Sequence, residues 1–309
     1  FDIFYSLFIT SIICSNFLLL FLLYILYLLY IFLLIFTQEV LIMFHSYYSH
    51  VSDAARKKME FLKTNPIGYF TASILAGIFI AFGSFVSMTA GAYLFLESVS
   101  AARLLSAVCF ASALSLVIMS GCELFTGNNF ILAAGAFRRY VRWPDTIGLW
   151  VICYLGNLTG SWIAVFLYHL TGLDSVSTVQ SYFLSTAINK LSLSPLEMTV
   201  RGILCNILVC VAVWCSIKMT SESGKLIMTL WCILIFMVCG FEHSIANMSI
   251  NGVAMLNTAG SGVSITAASY ASDLFFVTLG NMIGGILFVA LPYYLISLRD
   301  PAQKTPQDF

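Results

Sequence analysis

The chain carries the same acidic pattern twice, each time inside a hydrophobic segment. Residues 121–128 and 240–247 both read G-x-E-x-x-x-x-N, 119 residues apart. A second pattern, L-G-N-x-x-G, occurs at 155–160 and again at 279–284, 124 residues later. A glutamate inside an apolar membrane segment is energetically costly and usually has a task. Its recurrence beside glycine predicts two broken helices that meet around a central path, as in transporters with internal repeats.

Composition excludes a water-soluble globular domain. Hydrophobic residues make up 60% of the chain, charged residues make up 9%, and the mean hydropathy is +0.96. A soluble surface of this size needs far more charge. The net charge is zero, so a nucleic-acid partner has no electrostatic support. The nine cysteines show no C-x-x-C spacing, which predicts buried structural thiols and neither a metal site nor a cofactor.

Six apolar spans follow residue 64, and each approaches the ~20 residues needed to cross ~30 Å of hydrocarbon. The predicted spans are 69–96, 104–122, 146–168, 202–217, 226–241 and 274–297. The second and fifth are long enough only if the chain continues through the acidic pattern into a second short helix. We therefore predict an all-α membrane protein with six transmembrane helices, of which helices two and five are interrupted.

The positions of lysine and arginine predict that both ends of the six-span unit are cytoplasmic. Eleven of these residues fall on one side of the spans, and Arg103, Lys190 and Arg201 fall on the other. Three spans reverse the direction of the chain. The second three-helix repeat is therefore inverted relative to the first, with a pseudo-two-fold axis in the membrane plane.

Residues 1–42 do not fit this scheme. They contain no lysine or arginine and include a low-complexity apolar run at 18–36. A secretory signal would need a basic start and a small-residue cleavage site. We expect this hydrophobic extension to lie outside the functional unit, and the alternative is a seventh span. The expected organisation continues with a cytoplasmic amphipathic segment at 43–68, a six-span transporter domain at 69–298 and a cytoplasmic tail at 299–309.

The two acidic patterns resemble the signatures of the formate/nitrite transporter family. The resemblance rests on ELFTG at 123–127 and GFEHSIAN at 240–247, with support from NPIG at 65–68 and the two L-G-N patterns. It extends over about residues 50–298. It implies a homopentamer of six-span subunits with an aquaporin-like fold. Each subunit would hold its own pore for small monovalent anions or their conjugate acids, such as formate, nitrite, hydrosulfide or lactate.

His243 is the predicted centre of a proton-linked mechanism. Imidazole is the side chain whose ordinary pKa lies near neutrality, so it can exchange a proton at working pH. In an apolar pore, desolvation disfavours a naked anion, and an anion that receives a proton can cross as a neutral acid. The resemblance places Thr126 opposite this histidine. The alternative is a histidine packed in the core and hydrogen-bonded to a carbonyl group.

Glu123 and Glu242 occur at the same place in both repeats, which favours a structural role. A broken helix leaves backbone N–H groups without partners, and a nearby carboxylate can accept from them. A role in proton relay is the alternative for both residues.

Five asparagines in or next to the apolar spans are candidates for the pore or for a helix break. Asn206 is expected to face the pore or to cap a helix break. Asn157 and Asn281 recur in both repeats, and we expect them to help helices pack beside neighbouring glycines. Asn128 and Asn247 close the two acidic patterns at the breaks.

The resemblance also indicates residues along an anion path. Lys190, in the loop between spans three and four, matches a lysine at the rim of the outer funnel, where positive charge raises the local anion concentration. Arg201 could act in the same way or place its charge at the membrane interface. The residues matched to apolar constrictions are Phe110, Leu114, Phe125, Val209 and Phe236.

Transport is the predicted function, with formate or nitrite as substrate and hydrosulfide as the alternative within the family. The expected location is the plasma membrane, with the lipid bilayer and further copies of the chain as partners. Two other classes stay open at this point. A membrane enzyme would use His243 and Glu242 as an acid–base pair, although the chain lacks a nucleophile constellation. A ligand-sensing receptor would bind anions without flux.

Overall fold

The computed structural model describes residues 43–259 and 264–298, together with the single positions 25, 27 and 30. The chain divides into two compact units, residues 47–295 and residues 1–46 with 296–309. Apart from the three single positions, the expectations for residues 1–42 and for the tail at 299–309 lie outside the described residues. In the smaller unit, His45 Nδ1 lies 3.1 Å from the carbonyl oxygen of Ser297.

The part of the chain that the structure describes is helical and contains no strand. A first helix, α1, covers residues 43–64. The helices that follow are α2 Pro66–Phe95, α3 Val99–Ser120, α4 Phe125–Phe137, α5 Trp143–Leu170, α6 Ser177–Leu191, α7 Pro195–Lys218, α8 Glu222–Cys239, α9 Ser244–Leu256, α10 Ala267–Gly285 and α11 Leu291–Ser297. A 3-10 turn at Leu173–Ser175 links α5 to α6, and a π-helical turn at Ile286–Ala290 joins α10 to α11.

Within residues 43–259 and 264–298, six helical stretches are long and apolar enough to cross a membrane: α2, α3, α5, α7, α8 and the run Ala267–Ser297. The prediction of six spans is confirmed, although α7 begins seven residues before the predicted position 202. Ser194 caps this helix through reciprocal hydrogen bonds with Glu197, and Pro195 occupies the first turn. The charged residues of the first two turns had hidden this start from a hydropathy-based prediction.

The second and fifth spans are interrupted, as the sequence predicted. The helices α3 and α8 end at Gly121 and Gly240, which have φ values of +70° and +75°. Glycine adopts this left-handed conformation without steric cost. Each glycine and the residue after it donate their N–H groups to carbonyl oxygens of the preceding turn. Residues 121–124 and 240–243 then lie outside the helices until α4 and α9 begin.

Each inverted repeat also contains a shorter helix ahead of its first span. The helix α1 precedes Pro66, and α6 precedes Pro195 in the corresponding place. The expectation that Lys190 lies in a loop is therefore wrong, because this residue lies in the last turn of α6. The segment 43–68 is likewise divided into α1 and the first turn of α2.

The first and third spans of each repeat cross at very close range. A Cβ atom added to Gly160 would overlap the carbonyl oxygen of Ile74, and one added to Gly284 would overlap that of Ile203. Small residues allow helix backbones to approach in this way. The contact explains the final glycine of the repeated L-G-N-x-x-G pattern. It also brings the asparagine of that pattern next to the helix break.

Candidate functional site

An asparagine side chain closes the helix break in the first repeat. Asn157 Oδ1 accepts from the backbone N–H of Phe125 at 2.9 Å, so the first turn of α4 gains a partner for a free donor. The same side chain donates through Nδ2 to the carbonyl oxygens of Ser73 at 2.8 Å and Glu123 at 2.9 Å. Its three hydrogen bonds hold the break against the first span.

Asn281 makes the same three bonds in the second repeat. It accepts from the N–H of Ser244 at 2.9 Å and donates to the carbonyl oxygens of Gly202 at 2.8 Å and Glu242 at 3.0 Å. We call these two arrangements the asparagine clasps. The bonds to Ser73 and Gly202 join the third span of each repeat to the first, which agrees with the expected role in helix packing. The same side chains also satisfy backbone groups of the breaks.

The two glutamates bind lysines instead of backbone donors. Lys58 Nζ, on α1, lies 2.7 Å from both carboxylate oxygens of Glu123. Lys190 Nζ, on α6, lies 2.7 Å from Glu242 Oε2. The expectation that these carboxylates accept from backbone N–H groups is wrong, because their partners among the described residues are side chains. Each asparagine clasp occupies one backbone donor of its break. The glutamates instead tie α1 and α6 to the breaks through two ion pairs, each between a buried carboxylate and a half-buried lysine.

An asparagine on each half-helix gives the carboxylates a second donor. Asn128 Nδ2 donates to Glu123 Oε2 at 2.9 Å, and Asn247 Nδ2 donates to Glu242 Oε2 at 2.9 Å. Asn206 lies between the repeats, where Nδ2 donates to the carbonyl oxygen of Asn281 at 2.6 Å. It also lies 3.2 Å from the carbonyl oxygen of Thr126 in α4, which places it at a helix break.

His243 joins the two breaks across the pseudo-two-fold axis. Its Nε2 lies 3.0 Å from Thr126 Oγ1, and its Nδ1 accepts from the backbone N–H of Ala246 at 3.1 Å. Because Nδ1 is an acceptor, the ring proton of the neutral histidine sits on Nε2 and is donated to the threonine. The imidazole thus caps α9, the helix that begins at the next residue, and its N–H points to Thr126 of the first repeat.

Aromatic rings surround the histidine. Phe236 stacks on His243 with ring centroids 6.1 Å apart and an interplanar angle of 12°. Phe110 meets Phe236 edge-on at 6.1 Å. Both phenylalanines are almost fully buried. Together they form an apolar layer beside the imidazole ring.

Two cavities approach this layer from opposite ends of the interrupted helices. The His243 cavity has a volume of about 400 Å³ and is lined by Lys190, Arg201, Phe236 and Glu242, among others. The second cavity, which we call the Leu124 cavity, has a volume of about 170 Å³. Its lining includes Lys58, Leu114, Leu124, Gly127, Asn128 and Val213. The two cavities are related by the pseudo-symmetry, since each contains the lysine and the asparagine that hold its glutamate.

The predicted constriction residues fall into separate groups. Phe110 and Phe236 lie beside the histidine, and Leu114 lines the Leu124 cavity. Phe125 packs edge-on against Tyr154 of α5 at 5.0 Å. Val209 is buried, and neither it nor Phe125 is among the described lining residues of the two cavities.

Three residues of this region were not predicted from the sequence as site residues. Lys58 was used only to orient the chain, although a lysine shortly before the proline that opens each half is a detectable signal. Arg103 lines the His243 cavity from α3. Asp273 is fully buried in α10 and binds Asn247. A single acidic residue inside an apolar span is a recognised indicator of function, and the sequence contained it.

Removing either paired glutamate should chiefly lower the stability of the folded protein. We expect Glu123→Ala or Glu242→Ala to reduce the free energy of unfolding by about 2 kcal/mol, because a half-buried lysine and a buried asparagine lose a charged partner. Thermal unfolding in detergent measures the effect. Glu60→Ala, an exposed glutamate on α1, is the matched control. An equally stable variant with lost transport would contradict the structural role and favour proton relay.

Comparison with known proteins identifies relatives over most of the chain. Residues 45–295 match the family model described as formate/nitrite transporter. The chain is 35% identical over 247 residues to the uncharacterized transporter YwcJ of Bacillus subtilis (strain 168), with 80% of this chain and 96% of that protein covered. It is 33% identical over 230 residues to the nitrite transporter NirC of Escherichia coli (strain K12), covering 74% and 84%. The formate channel FocA of the same strain is 33% identical over 253 residues, covering 76% and 88%.

Solved structures agree with this relationship. A chain described as an FNT family ion channel superimposes with a TM-score of 0.75 at 29% identity, covering 81% of this chain and 98% of the other. A pentameric formate channel with formate bound gives a TM-score of 0.70 at 30% identity, covering 77% and 99%. These relatives are channels and transporters, so the enzyme alternative is excluded. The chain is an integral membrane protein that belongs to the formate/nitrite transporter family.

Proposed function

We propose that the protein conducts small monovalent anions, or their conjugate weak acids, through a pore in each subunit of a homopentamer. Formate and nitrite are the first candidate substrates, since relatives of this chain are a nitrite transporter and a formate channel. The pentamer is proposed from the similarity to a pentameric formate channel. The observation that carries the proposal is the hydrogen bond between His243 and Thr126, which lies between two cavities of related construction.

The proposed path runs from the His243 cavity past the aromatic layer into the Leu124 cavity. The excess of positive charge on one side of the spans supports a cytoplasmic position for the Leu124 cavity and for both ends of residues 69–298, the proposed transporter domain. We assign the narrow part of this path to Phe236 and Phe110, whose rings pack edge-on next to His243. An apolar constriction rejects hydrated cations because they cannot shed their water there.

Positive charge at the mouth of the His243 cavity would concentrate anions. Lys190 lines this cavity, but Glu242 compensates its charge at 2.7 Å. Arg103 and Arg201 also line it, and neither takes part in an ion pair within the described residues. We therefore assign anion attraction chiefly to the two arginines, with Lys190 as a weaker contributor.

His243 would link the movement of an anion to a proton. An anion that enters the layer can replace Thr126 as the acceptor of the Nε2 proton. A proton that reaches Nδ1 displaces the N–H of Ala246 and produces an imidazolium, which can then pass the Nε2 proton to the anion. The anion leaves as a neutral acid, and the histidine is left neutral with its proton on Nδ1. The starting form returns when Nδ1 releases that proton and Nε2 takes up another, which restores the cap on α9. The cost of each cycle includes the temporary loss of the cap on α9.

Purified protein in liposomes tests the proposal directly. We expect rapid passive uptake of labelled formate and of nitrite, without chemical change of either anion. Hydrosulfide is the alternative substrate, and lactate should pass least well because the aromatic layer limits size. Protein-free liposomes give the background rate. Absence of flux for all of these anions would reject the proposal and leave a receptor that binds without transport.

A further inference from the structure

A further carboxyl group lies behind the wall of the His243 cavity. Asp273 is fully buried on α10, and two amide groups hold it. Asn247 Nδ2 lies 3.2 Å and 3.0 Å from its two oxygens, and Asn251 Nδ2 lies 3.1 Å from Oδ2. Asn247 Nδ2 also donates to Glu242 Oε2 at 2.9 Å. One amide nitrogen therefore joins two buried carboxyl groups.

The charges of this cluster do not balance if both carboxyl groups are ionised. Lys190 pairs with Glu242, and no ion pair reaches Asp273 among the residues that the structure describes. The other titratable groups near Asp273 are the phenols of Tyr154 on α5 and Tyr270 on α10, which are neutral at physiological pH. Arg103 and Arg201 line the same cavity, but neither forms an ion pair with Glu242 or Asp273 among the described residues. Lys190 is therefore the one base in contact with this pair of acids there, and it already binds Glu242. An uncompensated charge in this buried position is unfavourable, and a single bound proton removes it.

The hydrogen bonds around Asp273 also favour the protonated carboxyl group over the carboxylate. Asn247 Oδ1 and Asn251 Oδ1 are buried and have no donor among the described residues. A carboxylate can only accept hydrogen bonds, so an ionised Asp273 leaves both oxygens unsatisfied. A protonated Asp273 has an O–H donor. Turning the Asn251 amide over would place its oxygen where Nδ2 now lies, 3.1 Å from the carboxyl oxygen.

We propose that Asp273 carries a proton at neutral pH and that its ionisation reduces the entry of anions into the His243 cavity. The inference rests on the proposed transport function. Asn247 lines that cavity and binds Asp273, so a negative charge on Asp273 lies directly behind the cavity wall. The charge therefore lowers the electrostatic potential inside the cavity. When the proton leaves to water, the cluster gains one negative charge. The local concentration of anions then falls, and uptake decreases as pH rises.

The variant Asp273→Asn removes the ionisable group and keeps a side chain of the same shape. In liposomes, we expect formate uptake equal to that of the parent protein at about pH 6, and about fivefold faster uptake than the parent at about pH 9. The difference should appear in KM and not in the maximal rate, because the charge changes anion concentration and leaves the narrow path unaltered. Asp273→Ser also removes the carboxyl group and provides a second variant if the first fails to fold.

The control is Asp174→Asn. Asp174 is another fully buried aspartate, which pairs with His169 Nδ1 at 2.7 Å and is not among the described lining residues of either cavity. This control should retain the pH profile of the parent. A profile for Asp273→Asn that runs parallel to the parent would overturn the inference and leave Asp273 as a packing group.

Infrared difference spectroscopy tests the proton without any flux. The parent should show the carbonyl band of a protonated carboxylic acid, which disappears on raising the pH and is missing in Asp273→Asn. A band that is unchanged in the variant would overturn the inference. If the parent protein transports no anion, the proposed function fails, and the infrared result still decides whether Asp273 holds a proton.

Discussion

The variant His243→Phe should lose pH-dependent anion uptake while the protein remains assembled. We expect a decrease of about a hundredfold, the typical contribution of a positioned acid–base group. Phenylalanine fills the place of the imidazole beside Phe236, but it cannot donate to Thr126 or accept from the N–H of Ala246. Initial rates of formate uptake into liposomes across pH 5 to 8 measure the loss. Size-exclusion chromatography shows whether assembly is retained.

Two further variants separate the hydrogen bond from the proton. His243→Gln retains an N–H donor but cannot titrate, so we expect some flux with a flattened pH profile. His243→Asn tests the same amide group on a shorter side chain. His50→Phe, an exposed histidine on α1, serves as the control and should transport normally. Normal uptake by His243→Phe at every pH would return His243 to a packing role.

The largest effect on stability is expected from the asparagine clasps. Asn281→Ala removes the acceptor for the N–H of Ser244 and the donor for two carbonyl oxygens. All of these groups are buried, so each loses a partner that water cannot replace. We expect the free energy of unfolding to fall by about 4 kcal/mol, which is the sum for several unsatisfied buried groups at about 1–3 kcal/mol each. Asn157→Ala should have a similar effect.

Thermal unfolding in detergent measures these losses. Asn189→Ala, an exposed asparagine on α6, is the control and should change little. Asn281→Asp retains an acceptor for Ser244 but supplies no donor, so it should be no more stable than the alanine variant. A loss below about 1 kcal/mol for Asn281→Ala would mean that the breaks are held by packing alone.

The sequence predicted the features that depend on short stretches of chain. Each apolar span, each break and each family signature is a continuous stretch of sequence, so local pattern reveals it. This holds for the six spans and for the breaks at Gly121 and Gly240. The start of α7 was placed too late because Glu197 and Arg201 lower hydropathy without ending a capped helix. The structure confirms the number and type of spans and corrects where they begin.

The partners of the site residues could not be predicted, because they come from distant parts of the chain. Glu123 binds Lys58, 65 residues away, and Glu242 binds Lys190, 52 residues away. A glutamate beside a helix break has several suitable donors. The sequence does not show that lysines of α1 and α6 reach the carboxylates, or that the asparagine of the third span takes one of the backbone N–H groups at each break. The assignment of the carboxylates to those groups failed for this reason.

The two halves differ in the length of their helices beyond the asparagine clasps. From Ser73 to the end of α2 there are six more residues than from Gly202 to the end of α7, and α3 is four residues longer than α8. At 1.5 Å per residue, these additions extend the α2–α3 hairpin by roughly 9 Å and 6 Å. Its far end supplies Phe95, Val99 and Arg103 to the wall of the His243 cavity. A blocking molecule that enters through the His243 cavity would therefore pass a longer stretch of helix than one that enters through the Leu124 cavity. Blockers for the two sides need different lengths.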